Sequence, residues 1–231
     1  MRRIARRVHV QFEWKLLPLV IISIIFLMNY TEYCPTYGIP FSQEHQKVNM
    51  YLFRGWIVAM SIPLVWNCGY IIRIRKLYPF LLIRLCNRTI CFFYEVHKCL
   101  IVSSIWGLLL LFLGFNYSPL QISVLDCVAE IFNHCLWSSV FLVFYLLSNS
   151  PEMSCVGSIG LISISFFLGE QFPMICRYLP SSWGMIIRFT PYSTGGFSAC
   201  YSSLYSLISL ILLLLIGIQA SKDVGDKIWK S

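Results

Sequence analysis

The sequence predicts an all-α membrane protein with six transmembrane helices and both termini in the cytoplasm. Three observations support this fold class. Of 231 residues, 58% are hydrophobic and only 12% are charged, whereas a soluble domain carries roughly 25% charged residues. The length accommodates about six spans of ~20 residues joined by short connections. Basic residues also cluster beside the apolar runs, as they do in membrane proteins.

Six apolar runs are long enough to be interpreted as spans, and proline, glycine or polar clusters separate them. Ahead of them, residues 1–15 carry basic and apolar rows at helical spacing. We expect either a helix in the inner membrane interface there or a tail that only sets the topology. The predicted spans are Leu16–Tyr30, Tyr51–Ile72, Cys99–Phe115, Ile131–Ser148, Cys155–Gly169 and Ser198–Ile218. We expect them to form one transmembrane domain, with spans one and two in 16–72, spans three to five in 99–169 and span six in 198–218.

The Lys and Arg residues predict the orientation. Residues 1–15, 73–98 and 219–231 carry five, six and three of the 18 Lys and Arg residues, and only four lie elsewhere. Cytoplasmic loops are enriched in these residues. We therefore expect these three segments on the inner side of a bacterial plasma membrane. Because the charges lie beside the spans, the net charge of +8 indicates membrane topology rather than a nucleic-acid partner.

Residues 170–197 are predicted to lie on the outer side as short re-entrant or interfacial helices. Three prolines interrupt this segment, yet its SWGMIIRF stretch is too apolar for an ordinary loop. Irregular backbone occurs at membrane depth only where protein or water satisfies its polar groups. We therefore expect short, broken helices here rather than a complete span.

Three polar residues in or beside the predicted spans are candidates for a translocation path. Arg54 lies near the outer end of the second span, Asn67 lies further along it, and Glu170 follows the fifth span. A charged group within a span is by default a functional-site hypothesis. For Arg54 we favour the simpler interpretation that its side chain extends to the outer lipid headgroups.

Asp126, Glu130 and His134 recur at four-residue spacing at the entry to the fourth span, so one helical face carries all three. This pattern is compatible with a proton or cation site. We favour a solvated helix N-terminus, where the helix dipole stabilises acidic side chains. We predict no Asp or Glu at the centre of a span.

Motifs for catalysis and cofactor binding are absent from the sequence. It contains no G-x-x-x-x-G-K-S/T phosphate loop, no H-E-x-x-H and no G-x-S-x-G motif. The ten Cys and four His residues show no spacing typical of metal ligands. We therefore expect no enzymatic activity, metal or cofactor in this chain, and the energy for any transport would come from another protein.

The segment 73–98 is both basic and apolar, which sets it apart from the other connections. Pro79 is suited to the first turn of a helix, and we predict one continuous helix over 80–93. Arg84 and Arg88 would share one face of this helix. Such a helix would fit an apolar cleft with acidic edges on a cytoplasmic partner; the alternative is a helix that contacts only lipid.

In this layout, and in the PFLLIRLCNRTICF stretch of segment 73–98, the chain resembles the membrane subunits of type-2 ABC (ABC-2) exporters, which have a type V exporter fold. It is similar to permeases that export phenol-soluble modulins or confer immunity to lantibiotics. The resemblance implies a pore of two permease copies, or of this chain and a sibling, and two cytoplasmic ABC ATPase subunits that bind ATP and Mg²⁺. It assigns contact with the ATPase groove to the coupling residues Phe80, Leu81, Arg84, Leu85 and Arg88.

The same resemblance implies export of an amphipathic or hydrophobic peptide, such as a toxin, bacteriocin or antimicrobial peptide. Three alternatives stay open. The chain could export lipid or polysaccharide with the same fold, or act as an accessory or immunity protein without transport. It could also be an intramembrane enzyme that uses Glu170, His134 or Asp126.

Overall fold

The structure is a computed structural model, and the part of the chain that it describes is helical. One isolated β-bridge, between Phe189 and Phe197, is the exception within this part. The predicted interfacial helix and the first predicted span lie outside the described residues, as does nearly all of the first outer loop. The described residues are 50–85, 88–117, 122–190, 192–193 and 196–228.

Five long helices follow one another in this part of the chain, and short helical pieces occupy the connection before the last of them. That connection bears out the prediction of broken helices over 170–197. Its depth relative to a membrane stays a prediction. The elements are α1 (Met50–Leu85), α2 (Arg88–Tyr117), α3 (Val124–Ser148), α4 (Pro151–Gln171), the short α5 (Pro173–Cys176), the 3-10 turns Pro180–Ser182 and Ile186–Arg188, and α6 (Ala199–Ile228).

All five long helices contain a stretch that is long and apolar enough to cross a membrane. These stretches correspond to predicted spans two to six. The stretches that correspond to predicted spans three and four begin at Phe92 and Val124, about two helical turns earlier than predicted. Charged residues such as Glu95 and Glu130 lower the local hydropathy there without interrupting the helix. The stretches are Phe53–Ile74, Phe92–Leu113, Val124–Ser148, Pro151–Gln171 and Ala199–Ser221.

Helix α3 begins and ends at residues suited to those positions. At its start, the Ser123 side chain accepts a hydrogen bond from the Asp126 backbone, and the Asp126 side chain accepts one from the Ser123 backbone. This reciprocal capping box satisfies two backbone donors. At its end, Asn149 adopts the left-handed conformation with φ of 55°. Ser150 then caps α4, whose first residue is Pro151, so a tight turn joins the two helices.

Helix α3 lies at the centre of the bundle and packs against α2, α4, α6 and part of α1. Its buried residues Trp137 and Phe141 join α1 and α4 side chains such as Leu64 and Phe166 in the main apolar core. We call one end of the bundle the cap end. It comprises the ends of α2 and α4, the starts of α3 and α6, and residues 172–198. The opposite end, where α1 ends and α2 begins, is the basic end.

The basic segment 73–98 does not form the separate helix that the sequence predicts over 80–93. Instead, α1 continues through Pro79 to Leu85, and a second helix begins at Arg88. The prediction of a single helix is therefore wrong. A proline weakens a helix locally but does not end it when the flanking residues favour helix. The predicted coupling residues consequently lie on two helices: Phe80, Leu81, Arg84 and Leu85 in the last two turns of α1, and Arg88 at the first position of α2.

Candidate polar sites within the bundle

One face of α3 carries a row of buried polar side chains at four-residue spacing. Asp126, Glu130 and His134 are each 2% exposed, and Ser138 is fully buried. The expectation of a helix N-terminus holds for Asp126, which lies in the first turn of α3. The expected solvation is wrong, because all three side chains are buried and Glu130 and His134 lie further inside the helix.

Asp126 has structural partners on both sides. Its Oδ2 atom accepts hydrogen bonds from the Ser123 backbone amide and from the Tyr192 hydroxyl, each 2.8 Å long. Burial, together with the hydrogen bond to this carboxylate, raises the pKa of Tyr192 to about 12. Asp126 thus caps α3 and also fastens the connection before α6 to the start of that helix.

Glu130 and His134, one turn further along α3, are less well satisfied. His134 Nε2 lies 4.0 Å from Glu130 Oε1, which is beyond a hydrogen bond. The other polar atoms, Glu130 Oε2 and His134 Nδ1, have no hydrogen-bond partner among the described residues. Gly107 of α2 lies against His134: a Cβ atom at that position would meet His134 Cδ2 at 3.4 Å. Helix α2 therefore packs against the His134 side of the pair.

Ser138 continues the polar row and connects three helices. Asn67 of α1 donates to its hydroxyl over 3.0 Å, and the Ser103 hydroxyl of α2 makes a short hydrogen bond with it. Ser103 also donates to the Cys99 carbonyl over 2.9 Å. Asn67, predicted to line a translocation path, is fully buried and lies in this contact between helices.

Glu170 and Arg188 form a buried ion pair at the cap end. Arg188 is fully buried and donates to Glu170 Oε1, to Cys176 Sγ over 3.1 Å and to Ser182 Oγ over 3.5 Å. Its guanidinium group also lies 5.6 Å from the ring centroid of Phe166. Glu170 was predicted to line a translocation path. Its carboxylate instead fixes the connection that carries Arg188 to the end of α4.

This pair is not predicted from the sequence, because Arg188 is one of the four basic residues outside the three basic segments. The arginine stands within an apolar stretch, SWGMIIRF, and that context was the available signal. A charged residue surrounded by apolar ones is seldom buried without a partner. Which partner it has depends on the fold, since Glu170 is 18 residues away.

Further contacts hold the same connection against α3 and α4. Asn133 of α3 donates to the Pro180 carbonyl over 2.7 Å, and Ser165 of α4 donates to Ser181 over 2.9 Å. Gly184 packs so closely on Asn133 that a Cβ atom would come within 2.8 Å of its Oδ1. The predicted broken helices thus form a packed cover over the cap end.

Arg54, the third predicted path residue, is exposed near the start of α1. Asn67 follows it on the same helix at a distance of about 20 Å, given the rise of about 1.5 Å per residue. Glu170 lies at the cap end. The structure therefore does not bring the three predicted path residues together at one site.

An apolar groove opens between α3, α4 and α6, with a cavity volume of about 270 Å³. Trp137, Leu161 and Leu212 are among its lining residues, and Ser209 is the polar exception in the lining. A surface of this composition can hold hydrocarbon but offers few groups for recognising a polar molecule.

No family model, no curated protein and no solved structure matches this chain. Its class therefore follows from its own features: it is a multi-pass helical membrane protein whose buried polar groups concentrate towards one end of the bundle. The part of the chain that the structure describes holds no group of three or more His, Cys, Asp or Glu residues that could bind a metal ion.

Proposed function

We propose that this chain is the membrane subunit of an ATP-driven exporter of the ABC-2 type and that a separate cytoplasmic protein hydrolyses the ATP. The length of α1 carries this proposal. The helix has 36 residues, which corresponds to about 54 Å, while the hydrocarbon core of a bilayer is about 30 Å thick. In the sequence, its predicted span ends at Ile72, and Arg73, Arg75 and Lys76 follow. The residues from 75 to 85 therefore extend the helix beyond the span.

This extension has the composition expected of a docking surface for a cytoplasmic subunit. It carries Arg75, Lys76 and Arg84, and Arg88 begins the neighbouring helix. Leu81, Arg84 and Leu85 would share one helical face by their three- and four-residue spacing. A partner that pushes on the end of a continuous helix moves the whole span with it, since a helix transmits displacement along its axis.

The remaining parts of the proposal follow from what this chain lacks. Its sequence contains no phosphate loop, so ATP and Mg²⁺ would bind to the partner ATPase. A second copy of the chain would complete the pore. The apolar groove beside α6 favours a substrate with a hydrophobic face, and we propose an amphipathic peptide moved out of the cell.

Co-purification tests the proposal. The tagged chain, extracted from its native membrane in mild detergent, should carry an ABC ATPase that mass spectrometry identifies. The double change Arg84→Glu/Arg88→Glu should reduce the bound ATPase at least about tenfold, which corresponds to about 1.4 kcal/mol. It should also abolish stimulation of ATP hydrolysis by the membrane subunit.

The matched control is Arg54→Glu/Arg177→Glu, which makes the same change of charge at two exposed residues of the cap end. This control should leave ATPase binding unchanged. Equal loss in both variants would indicate a general effect of charge on insertion or folding. Undiminished binding in Arg84→Glu/Arg88→Glu would contradict the coupling assignment. Purification without any ATPase would favour an accessory or immunity role.

A further inference from the structure

Glu130 and His134 are neighbouring buried ionisable side chains of α3 that do not hydrogen-bond to each other. Asp126 has two hydrogen-bond donors and Glu170 has Arg188. By contrast, Glu130 and His134 face each other at 4.0 Å, and each has a polar atom without a hydrogen-bond partner in the described part. Both side chains are 2% exposed, so they are shielded from bulk solvent.

The surrounding elements supply no compensating charge. The stretch of α2 that faces the pair, from Cys99 to Leu113, contains no acidic or basic residue, and neither does α6 from Ala199 to Ser221. Arg188 is already paired with Glu170. The titratable or charged groups that the described elements offer at this end are Asp126, Cys127 and Cys135 on α3, Arg54 on α1, Glu170 on α4, Cys176, Arg177, Tyr178, Arg188 and Tyr192 in the connection, and Cys200, Tyr201 and Tyr205 on α6.

The small number of polar groups at this site favours a proton over a metal ion as the ligand. A bound metal ion would need more than these two side chains, and no group of three candidate ligands exists among the described residues. A proton needs neither extra ligands nor a cavity. We propose that Glu130 and His134 together form a proton-binding site in the cap half of the bundle.

The charge balance of this step is simple. Without the proton, the pair consists of a carboxylate and a neutral imidazole and carries one buried negative charge. Taking up one proton from water yields either a carboxylic acid beside an imidazole or a carboxylate beside an imidazolium, and both are neutral overall. Burying an uncompensated charge is unfavourable. Proton uptake therefore stabilises the closed packing of α3 against α2.

The location of the pair provides a route for the proton and a consequence of binding. Asp126 lies one turn closer to the cap end on the same face of α3, and its carboxylate is hydrogen-bonded to the Tyr192 hydroxyl. Tyr192 is only partly buried, so an approach to the pair from the cap end passes Asp126 and Tyr192. Loss of the proton leaves an uncompensated negative charge on α3 and should loosen its contact with α2.

Infrared difference spectroscopy between acidic and neutral pH tests the site in the purified chain, reconstituted in lipid nanodiscs without any partner. The wild-type spectrum should contain a band of a protonated carboxyl group in an apolar environment. Glu130→Gln should abolish this band. The matched control Glu152→Gln removes an exposed acid from the start of α4 and should keep it. A band that survives Glu130→Gln would overturn the proposal.

A second measurement asks whether the two residues titrate as one site. His134→Asn should move the midpoint of the carboxyl band by about one pH unit or more, because coupled groups share their titration. An unchanged midpoint would show that His134 does not take part.

Should Glu130→Gln fail to fold, the wild-type chain with labelled histidine keeps the proposal testable. The His134 imidazole signal should then change protonation together with the carboxyl band, and separate midpoints would contradict a shared proton. None of these outcomes depends on whether an ATPase binds.

Discussion

The two ends of the bundle use charge in different ways. At the cap end, Arg188 and Glu170 are paired within the protein, and Asp126 is hydrogen-bonded to Ser123 and Tyr192. At the basic end, α1 continues to Leu85 past Arg73, Arg75 and Lys76, and α2 begins at Arg88. The buried charges of the cap end hold parts of the chain together. The basic residues at the other end of the bundle are available to bind a partner protein or lipid. The following predictions test that comparison.

Chemical labelling should distinguish the two ends completely. Cys200 is exposed at the start of α6, at the cap end, and Cys91 lies near the start of α2, at the basic end. In intact cells, a membrane-impermeant maleimide should modify the Cys200 peptide and leave the Cys91 peptide unmodified until the membrane is permeabilised. Peptide mapping by mass spectrometry measures both. The reverse pattern would contradict the predicted orientation and the cytoplasmic docking surface with it.

Breaking the ion pair at the cap end should cause the largest loss of stability. Arg188→Met leaves the Glu170 carboxylate buried without its partner, which typically costs about 3–5 kcal/mol. Chemical unfolding in detergent, followed by tryptophan fluorescence, measures the change. The double variant Arg188→Met/Glu170→Leu should recover most of the loss, because it removes both charges. Arg177→Met, at an exposed arginine nearby, should change stability by no more than about 0.5 kcal/mol. A similar loss in both single variants would argue against the pair.

The close packing of the cap-end connection on α3 should respond to a single methyl group. Gly184→Ala places a Cβ atom within 2.8 Å of Asn133 Oδ1 and should destabilise the protein by about 1–3 kcal/mol, as overpacking does. Gly160→Ala is the matched control, because no atom lies within 4 Å of a Cβ at that position. It should be neutral or stabilising by up to about 1 kcal/mol, since alanine favours helix. Equal effects would show that the connection does not pack as described.

A smaller effect is expected at the link between Tyr192 and Asp126. Tyr192→Phe removes one hydrogen bond and should cost about 1 kcal/mol at neutral pH. Because the pKa of Tyr192 is raised from 10 to about 12, its contribution should be complete below pH 10 and disappear as the pH rises through 12. The unfolding free energies of wild type and Tyr192→Phe should therefore converge over this range. Tyr178→Phe, at an exposed position, should show no such convergence. A constant difference across the range would contradict the link.

The apolar helices were predictable from the sequence because membrane spans follow a local rule. A span requires about 20 mostly apolar residues, and a run of that length is visible in the sequence itself. The start of α3 was less easily predicted, because Asp126 and Glu130 interrupt the apolar run. The capping pair Ser123 and Asp126 was the better signal for this boundary, since it marks where backbone donors need acceptors.

The segment 73–98 shows where a local rule misleads. Pro79 suggested the start of a new helix, yet α1 continues to Leu85. A proline is compatible with a helix start and with a bend inside a helix, and the residues around it do not distinguish the two. The basic composition of the segment was evident from the sequence. Its division between the end of one helix and the start of another was decided by the fold.

The sequence by itself determined that the chain is a membrane protein, where its apolar helices lie and which connections are basic, because each of these depends on neighbours along the chain. Only the tertiary structure decided which charges meet. It paired Arg188 with Glu170, buried Glu130 and His134 and placed Gly107 against His134. Such contacts depend on how helices pack against one another, and burial then makes an unmatched charge costly. The polar sites of this protein are therefore products of helix packing, although every residue in them is visible in the sequence.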